Sequence, residues 1–154
     1  MGPLAAAAGL LAVKAWLDLQ GEARSAAAEL VGTAAVGGVA SAVALAGGGE
    51  GALAWLLWPV VLARAVPSVL YVRARLRLEK AEGVSVWAVL VPSLAAAVWG
   101  VWLGVGPAII GFLLLGRAAW GLSDRRRRLA PMWIGIQEIG WGLAWIVAFV
   151  FGRS

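Results

Sequence analysis

Among its 154 residues the sequence has no cysteine and no histidine, and only 14% of residues are charged. Without thiolate or imidazole it has no disulfide framework and no cysteine chemistry. Haem ligation and most zinc and copper sites are excluded as well. A disordered chain would combine high charge with low hydrophobicity, and the scarcity of charge argues against one. Extended motifs are missing too: there is no Walker A loop, no Rossmann glycine fingerprint, no HExxH and no Ser nucleophile with a base.

What is present is apolar. Hydrophobic residues make up 62% of the chain, against roughly 45–50% in soluble domains, which excludes a soluble globular fold. A span takes about 20 residues, so with short loops this length admits six at most, as one transmembrane domain over residues 1–154. Six apolar stretches can be drawn, at about 3–17, 29–47, 52–72, 84–105, 107–122 and 132–151. Helices are the only open structure that satisfies the backbone in lipid, and the runs lack the alternation of an outer-membrane barrel. The prediction is an all-α, polytopic transmembrane helical bundle of about six spans, or five if the short first stretch, interrupted by Lys14, does not cross. That stretch reads as a mature helix rather than a signal peptide, since no basic residue precedes its apolar run.

The breaks set the topology. Gly47, Gly48, Gly49, Glu50 and Gly51 form one tight turn and Gly104, Val105, Gly106 and Pro107 another. Neither contains Lys or Arg. The other three loops, at about 18–28, 73–83 and 123–131, take up with the adjoining Lys14 ten of the 13 Lys and Arg residues: Lys14, Arg24, Arg73, Arg75, Arg77, Lys80 and Arg125 to Arg128. The positive-inside rule then places these loops in the cytoplasm and both termini outside. The same rule absorbs the net charge of +5, and nucleic acid is not expected as a partner. Trp55, Trp58, Trp99 and Trp102 fall at the outer ends, and Trp16, Tyr71, Trp87, Trp120 and Trp133 at the inner ends, as interfacial belts do.

Ionisable residues within spans are the functional candidates, because each costs ~2.5–3.5 kcal/mol at a helix centre on insertion scales and calls for a partner. Here they are Arg64, Arg117 and Glu138. At ~1.5 Å per residue they lie ~12, ~8 and ~9 Å from the inner helix ends, in one layer of the cytoplasmic leaflet. An ion pair of Glu138 with Arg64 or with Arg117, with Gln137 nearby, would neutralise the layer and floor a polar cavity. The alternative is that either Arg snorkels to the interface; Glu138 is too short for that and is either paired or protonated. Arg64 and Arg117 are each followed by a basic run eight or nine residues on. Two hairpins on one plan would explain the echo, as would the ordinary enrichment of Arg at cytoplasmic helix ends.

On the third stretch Arg64, Ser68, Tyr71 and Arg75 recur at helical spacing and share one face. That face would serve either an anion such as a lipid phosphate or a helix-packing seam. Gly37 and Ser41, with Thr33, and Gly100 with Gly104 are small-residue spacings that allow close helix approach. Glu138, Trp141, Gly142 and Trp145 share a face of the last stretch; it reads as a ring or lipid-tail pocket, or as Trp filling the core. Asp18 and Glu22, at i, i+4, are the nearest approach to a Mg²⁺ pair, and Arg24 beside them makes a solvated turn the competing reading. No metal or cofactor is assigned.

Arg24-Ser25 leading to Glu29-Leu30-Val31-Gly32, then Tyr71-Val72-Arg73-Ala74-Arg75-Leu76-Arg77, then Gly135-Ile136-Gln137-Glu138-Ile139 resemble, in that order, landmarks of the YwiC-like family of bacterial membrane proteins. The similarity covers about residues 20–145. It implies a multi-pass bacterial inner-membrane protein of uncharacterised function. The family's His-Gly-Ala-Trp-Ala type motif has no counterpart in these residues. The family's helical layout is similar to that of UbiA-type prenyltransferases, whose Asp-rich, Mg²⁺-binding motifs are missing from this sequence.

The functional expectation is therefore a non-catalytic accessory or lipid-binding bundle with a basic cytoplasmic face. Its partners would be membrane lipids, with anionic headgroups or an isoprenoid, and other copies or membrane subunits. One alternative is a small proton-coupled transporter using Glu138 and Arg64. Another is a degenerate isoprenoid transferase holding Mg²⁺ on Asp18 and Glu22.

Overall fold

The computed structural model describes residues 2–124 and 130–152. Arg125 to Arg128, the basic run assigned to the third cytoplasmic loop, lie outside the described residues. Six helices follow one another: α1 (Gly2–Leu19), α2 (Ala26–Ala46), α3 (Gly51–Glu79), α4 (Trp87–Leu103), α5 (Val105–Gly121) and α6 (Pro131–Phe151). No strand occurs among the described residues. By length and composition α1, α2, α3 and α6 can each cross a membrane. The apolar helices α4 and α5 have 17 residues each, the lower end of what spans a hydrocarbon core about 30 Å thick.

The chain divides into two compact units, Met1–Val66 and Pro67–Ser154. The boundary falls within α3. In the first unit α1 and α2 run antiparallel. A Cβ built at Gly32 would meet the Lys14 stem at 3.0 Å, and one at Gly38 would meet the Ala7 Cβ at 3.0 Å. Ser25 starts α2 by accepting the Ala28 N–H at 3.1 Å, a cap worth about 1 kcal/mol. Lys14, the charge that interrupts the first apolar stretch, is neutralised one turn on by Asp18, at 2.9 and 2.7 Å to its two oxygens. With that pair formed, α1 reaches 18 residues.

In the second unit α4 and α5 form a hairpin joined by Gly104 alone, whose φ of +128° suits glycine. The two backbones touch. A Cβ at Gly100 would lie 2.9 Å from the Pro107 carbonyl oxygen, and one at Gly111 would lie 2.8 Å from the Ala97 Cα. Helices α5 and α6 are likewise antiparallel, with Gly106 against the Ala148 backbone and Gly104 against that of Gly152. Tyr71, Ala74, Val89, Ala118 and Leu122 make up a buried cluster at the other end of α5.

Two boundaries differ from those read in the sequence. Residues 73–79 are helical, because Arg73 to Glu79 are mostly good helix formers and Arg75 pairs with Glu79 one turn on. Helix α4 starts at Trp87, after a non-helical stretch containing Gly83 and Ser85. Large apolar side chains line the outside of most helices, among them Val43, Trp102, Ile139 and Leu143, far more apolar surface than a soluble monomer exposes.

Candidate functional site

The antiparallel register of α5 and α6, fixed where Gly106 meets Ala148, brings Arg117 opposite Glu138 some three turns along. Their side chains form an ion pair, Arg117 Nη2 donating to Glu138 Oε1. The other carboxylate oxygen, Oε2, accepts from the Ser68 hydroxyl of α3. Neither member of the pair is open to solvent: the Arg117 side chain is 17% exposed and that of Glu138 13%. One carboxylate thus ties three helices together.

Aromatic rings complete the setting. The Arg117 guanidinium lies over the Tyr71 ring, 4.2 Å from its centroid, and 5.9 Å from that of Trp141, so ring quadrupoles take part of the place of water around the cation. Tyr71 is itself buried. It fits because residue 121 is glycine: a Cβ there would come within 2.9 Å of the Tyr71 ring.

Arg75, one turn further along α3, does different work. It is 2% exposed and donates from Nη1 to the Gly121 carbonyl at 2.9 Å, while Nη2 lies 3.3 Å from Glu79. Gly121 is the last residue of α5, and a helix leaves its last four carbonyls without intrahelical donors. A cation there also complements the negative end of the helix dipole. Arg75 is therefore a C-terminal cap for α5.

The face predicted on α3 can now be followed residue by residue. Ser68 reaches α6, Tyr71 and Arg75 reach α5, and together with Arg117 and Glu138 they form a continuous polar set in the second unit. Arg64 lies in the first unit and is half-buried. Gln137 is exposed. Gly37 packs against Trp58, whose Cδ1 would stand 2.7 Å from a Cβ built there, and Ser41 is fully buried. Gly100 faces the α5 backbone, and Gly104 is the hairpin residue itself. Asp18 is engaged with Lys14, and among the described residues no three His, Cys, Asp or Glu side chains come together as a metal site would need.

Three participants were not singled out by spacing. Gly121 and Gly111 are helix positions where the approaching group allows no side chain. Ser93 is buried and returns its hydroxyl to the Val89 carbonyl, 2.7 Å away on its own helix. The sequence signal for the glycines is their recurrence in α5, at 106, 111, 116 and 121. No protein-family model, curated protein or solved structure matches this chain.

Proposed function

We propose that the chain is a multi-pass protein of the bacterial cytoplasmic membrane, related to the YwiC-like family, acting as a non-catalytic accessory or lipid-binding bundle with a basic cytoplasmic face. The observation that carries this reading is the Glu138 carboxylate, which has a donor on each oxygen, Arg117 on one and Ser68 on the other. A carboxylate so held works as a fastening between helices. Arg75 is used in the same way, as a cap on α5. Arg73, Arg77 and Lys80 follow at the end of α3 and beyond it, in the region read as cytoplasmic, where each basic residue near anionic lipid is worth about 1 kcal/mol.

A proton-coupled transporter would require Glu138 to exchange its partners in every cycle, at the cost of leaving Arg117 uncompensated in an apolar layer. The geometry favours the fastening. The test is reconstitution into phosphatidylcholine vesicles with and without phosphatidylglycerol. Thermal stability should rise with the anionic lipid and lose that gain in high salt, and a pH-sensitive dye in the lumen should report no flux. Stability indifferent to phosphatidylglycerol, or a proton flux removed by Glu138→Gln, would overturn the reading.

A further inference from the structure

Helices α4 and α5 are short, and their ends call for water. Each has 17 residues, about 25 Å of helix, against a typical hydrocarbon core about 30 Å thick. A helix leaves its first N–H groups and last carbonyls without intrahelical partners, and hydrocarbon supplies none. Val86, ahead of α4, has no side-chain acceptor to offer, and Gly104, between the two helices, has no side chain at all. Both levels therefore belong in headgroup layers.

The tryptophans mark the same limits. Gly100 against Pro107 and Gly111 against Ala97 set the register of the hairpin, which puts Trp87 level with Trp120. Gly106 against Ala148 sets α6 and brings Trp133 within about two residues, ~3 Å, of that level. All three indoles are exposed, a band of the kind that settles at a headgroup interface. Toward the hairpin turn Trp102 is exposed as well, and from Trp87 to Trp102 is about 22 Å along α4. Between the two levels Val91 and Val98 of α4, Ile109 and Leu113 of α5, and Leu143 and Ile146 of α6 are exposed and apolar. Gln137 is exposed on α6, about two residues, ~3 Å, inside the Trp120 level. From there its amide reaches the interface of a thin layer, whereas a core about 30 Å thick would submerge it.

We propose that the unit Pro67–Ser154 is built for a hydrocarbon layer about 22–25 Å thick, the length between its tryptophan levels and of its short helices. Its exposed apolar surface takes short-chain phospholipids as partners, and draws longer-chain leaflets down to that thickness, as short spans do. This rests on the membrane-spanning, lipid-binding reading above and specifies the lipid by chain length, not by headgroup.

The test uses the full chain in phosphatidylcholine vesicles, so that chain length is the variable. Dibromostearoyl phosphatidylcholine, a stand-in for the dioleoyl lipid, quenches tryptophan fluorescence, and a second lipid relieves the quenching according to its relative affinity. The dimyristoleoyl lipid should bind about twofold more strongly than the dioleoyl lipid, a factor that ~0.4 kcal/mol represents, and the dieicosenoyl lipid more weakly. Equal affinities, or an optimum at dioleoyl or longer chains, would overturn the proposal. Because the chain has no cysteine, Val86→Cys, Leu94→Cys and Val105→Cys can each carry a polarity-sensitive bimane at an exposed position. In dioleoyl vesicles the labels at 86 and 105 should emit as in a headgroup layer and the label at 94 as in hydrocarbon. Apolar emission from either end would show the hairpin submerged and would overturn the thinning. If affinities are flat while phosphatidylglycerol still stabilises the protein, the thickness inference fails alone. Polar emission from position 94 in every bilayer would show that the hairpin does not insert, and the membrane-spanning reading would fail with it.

Discussion

Replacing Arg117 by Met removes the Nη2 donor from Glu138 Oε1, while the Ser68 hydroxyl continues to donate to Oε2. Removing one partner of a buried ion pair costs about 3–5 kcal/mol. With side-chain exposures of 17% and 13%, the pair has little access to water that would soften that penalty, so Arg117→Met should fall in this range. Glu138→Met strands the guanidinium instead, but the Tyr71 ring beneath it at 4.2 Å retains about 1–2 kcal/mol of cation–π attraction, so the loss should be smaller, about 2–3 kcal/mol. The double variant removes both charges, and buried pairs replaced by apolar side chains of similar volume are often close to neutral. It should therefore be less destabilised than the sum of the singles by at least ~1.5 kcal/mol, a coupling of the size found for residues in one network. Unfolding by SDS in mixed micelles, followed by tryptophan fluorescence, measures all three against wild type. Additive single effects would refute a direct Arg117–Glu138 interaction.

The other predictions come from the helix contacts and the charge distribution. Gly111→Val should destabilise by about 1–3 kcal/mol, the cost of overpacking, because its Cβ would meet the Ala97 Cα at 2.8 Å; Gly116→Ala, with nothing within 4 Å, should be neutral or slightly stabilising in the same SDS titration. Arg75→Met removes the donor to the Gly121 carbonyl and should cost about 2–3 kcal/mol, the scale of a hydrogen bond to a charged group, with faster hydrogen exchange confined to the end of α5. Since the chain has no cysteine, single substitutions give clean topology labels. Glu50→Cys should react with an impermeant maleimide in intact spheroplasts and Lys80→Cys only after permeabilisation; the reverse pattern would invert the proposed orientation.

The helices were legible because lipid and backbone hydrogen bonding leave so few solutions, and because glycine clusters at 47–51 and 104–106 punctuate the apolar runs. The end of α3 was not, since hydropathy reports where a helix stops being apolar, not where it stops. Arg73 to Glu79 continue the helix in polar residues that the structure supports through Arg75, Glu79 and the Gly121 carbonyl. The candidate site was legible in part for a related reason. Charge in an apolar run identified Arg117 and Glu138, and helical spacing put Ser68, Tyr71 and Arg75 on one face. Spacing within one helix says which residues face together but not what faces them. The same pattern thus fits an anion site or a packing seam, and the partner helices decide between them. In the second unit α5 supplies that decision through an absence: glycine at 121 admits the Tyr71 ring and leaves a terminal carbonyl within reach of Arg75. A tyrosine and an arginine that fit either reading in one dimension thereby become the means by which α3 holds α5.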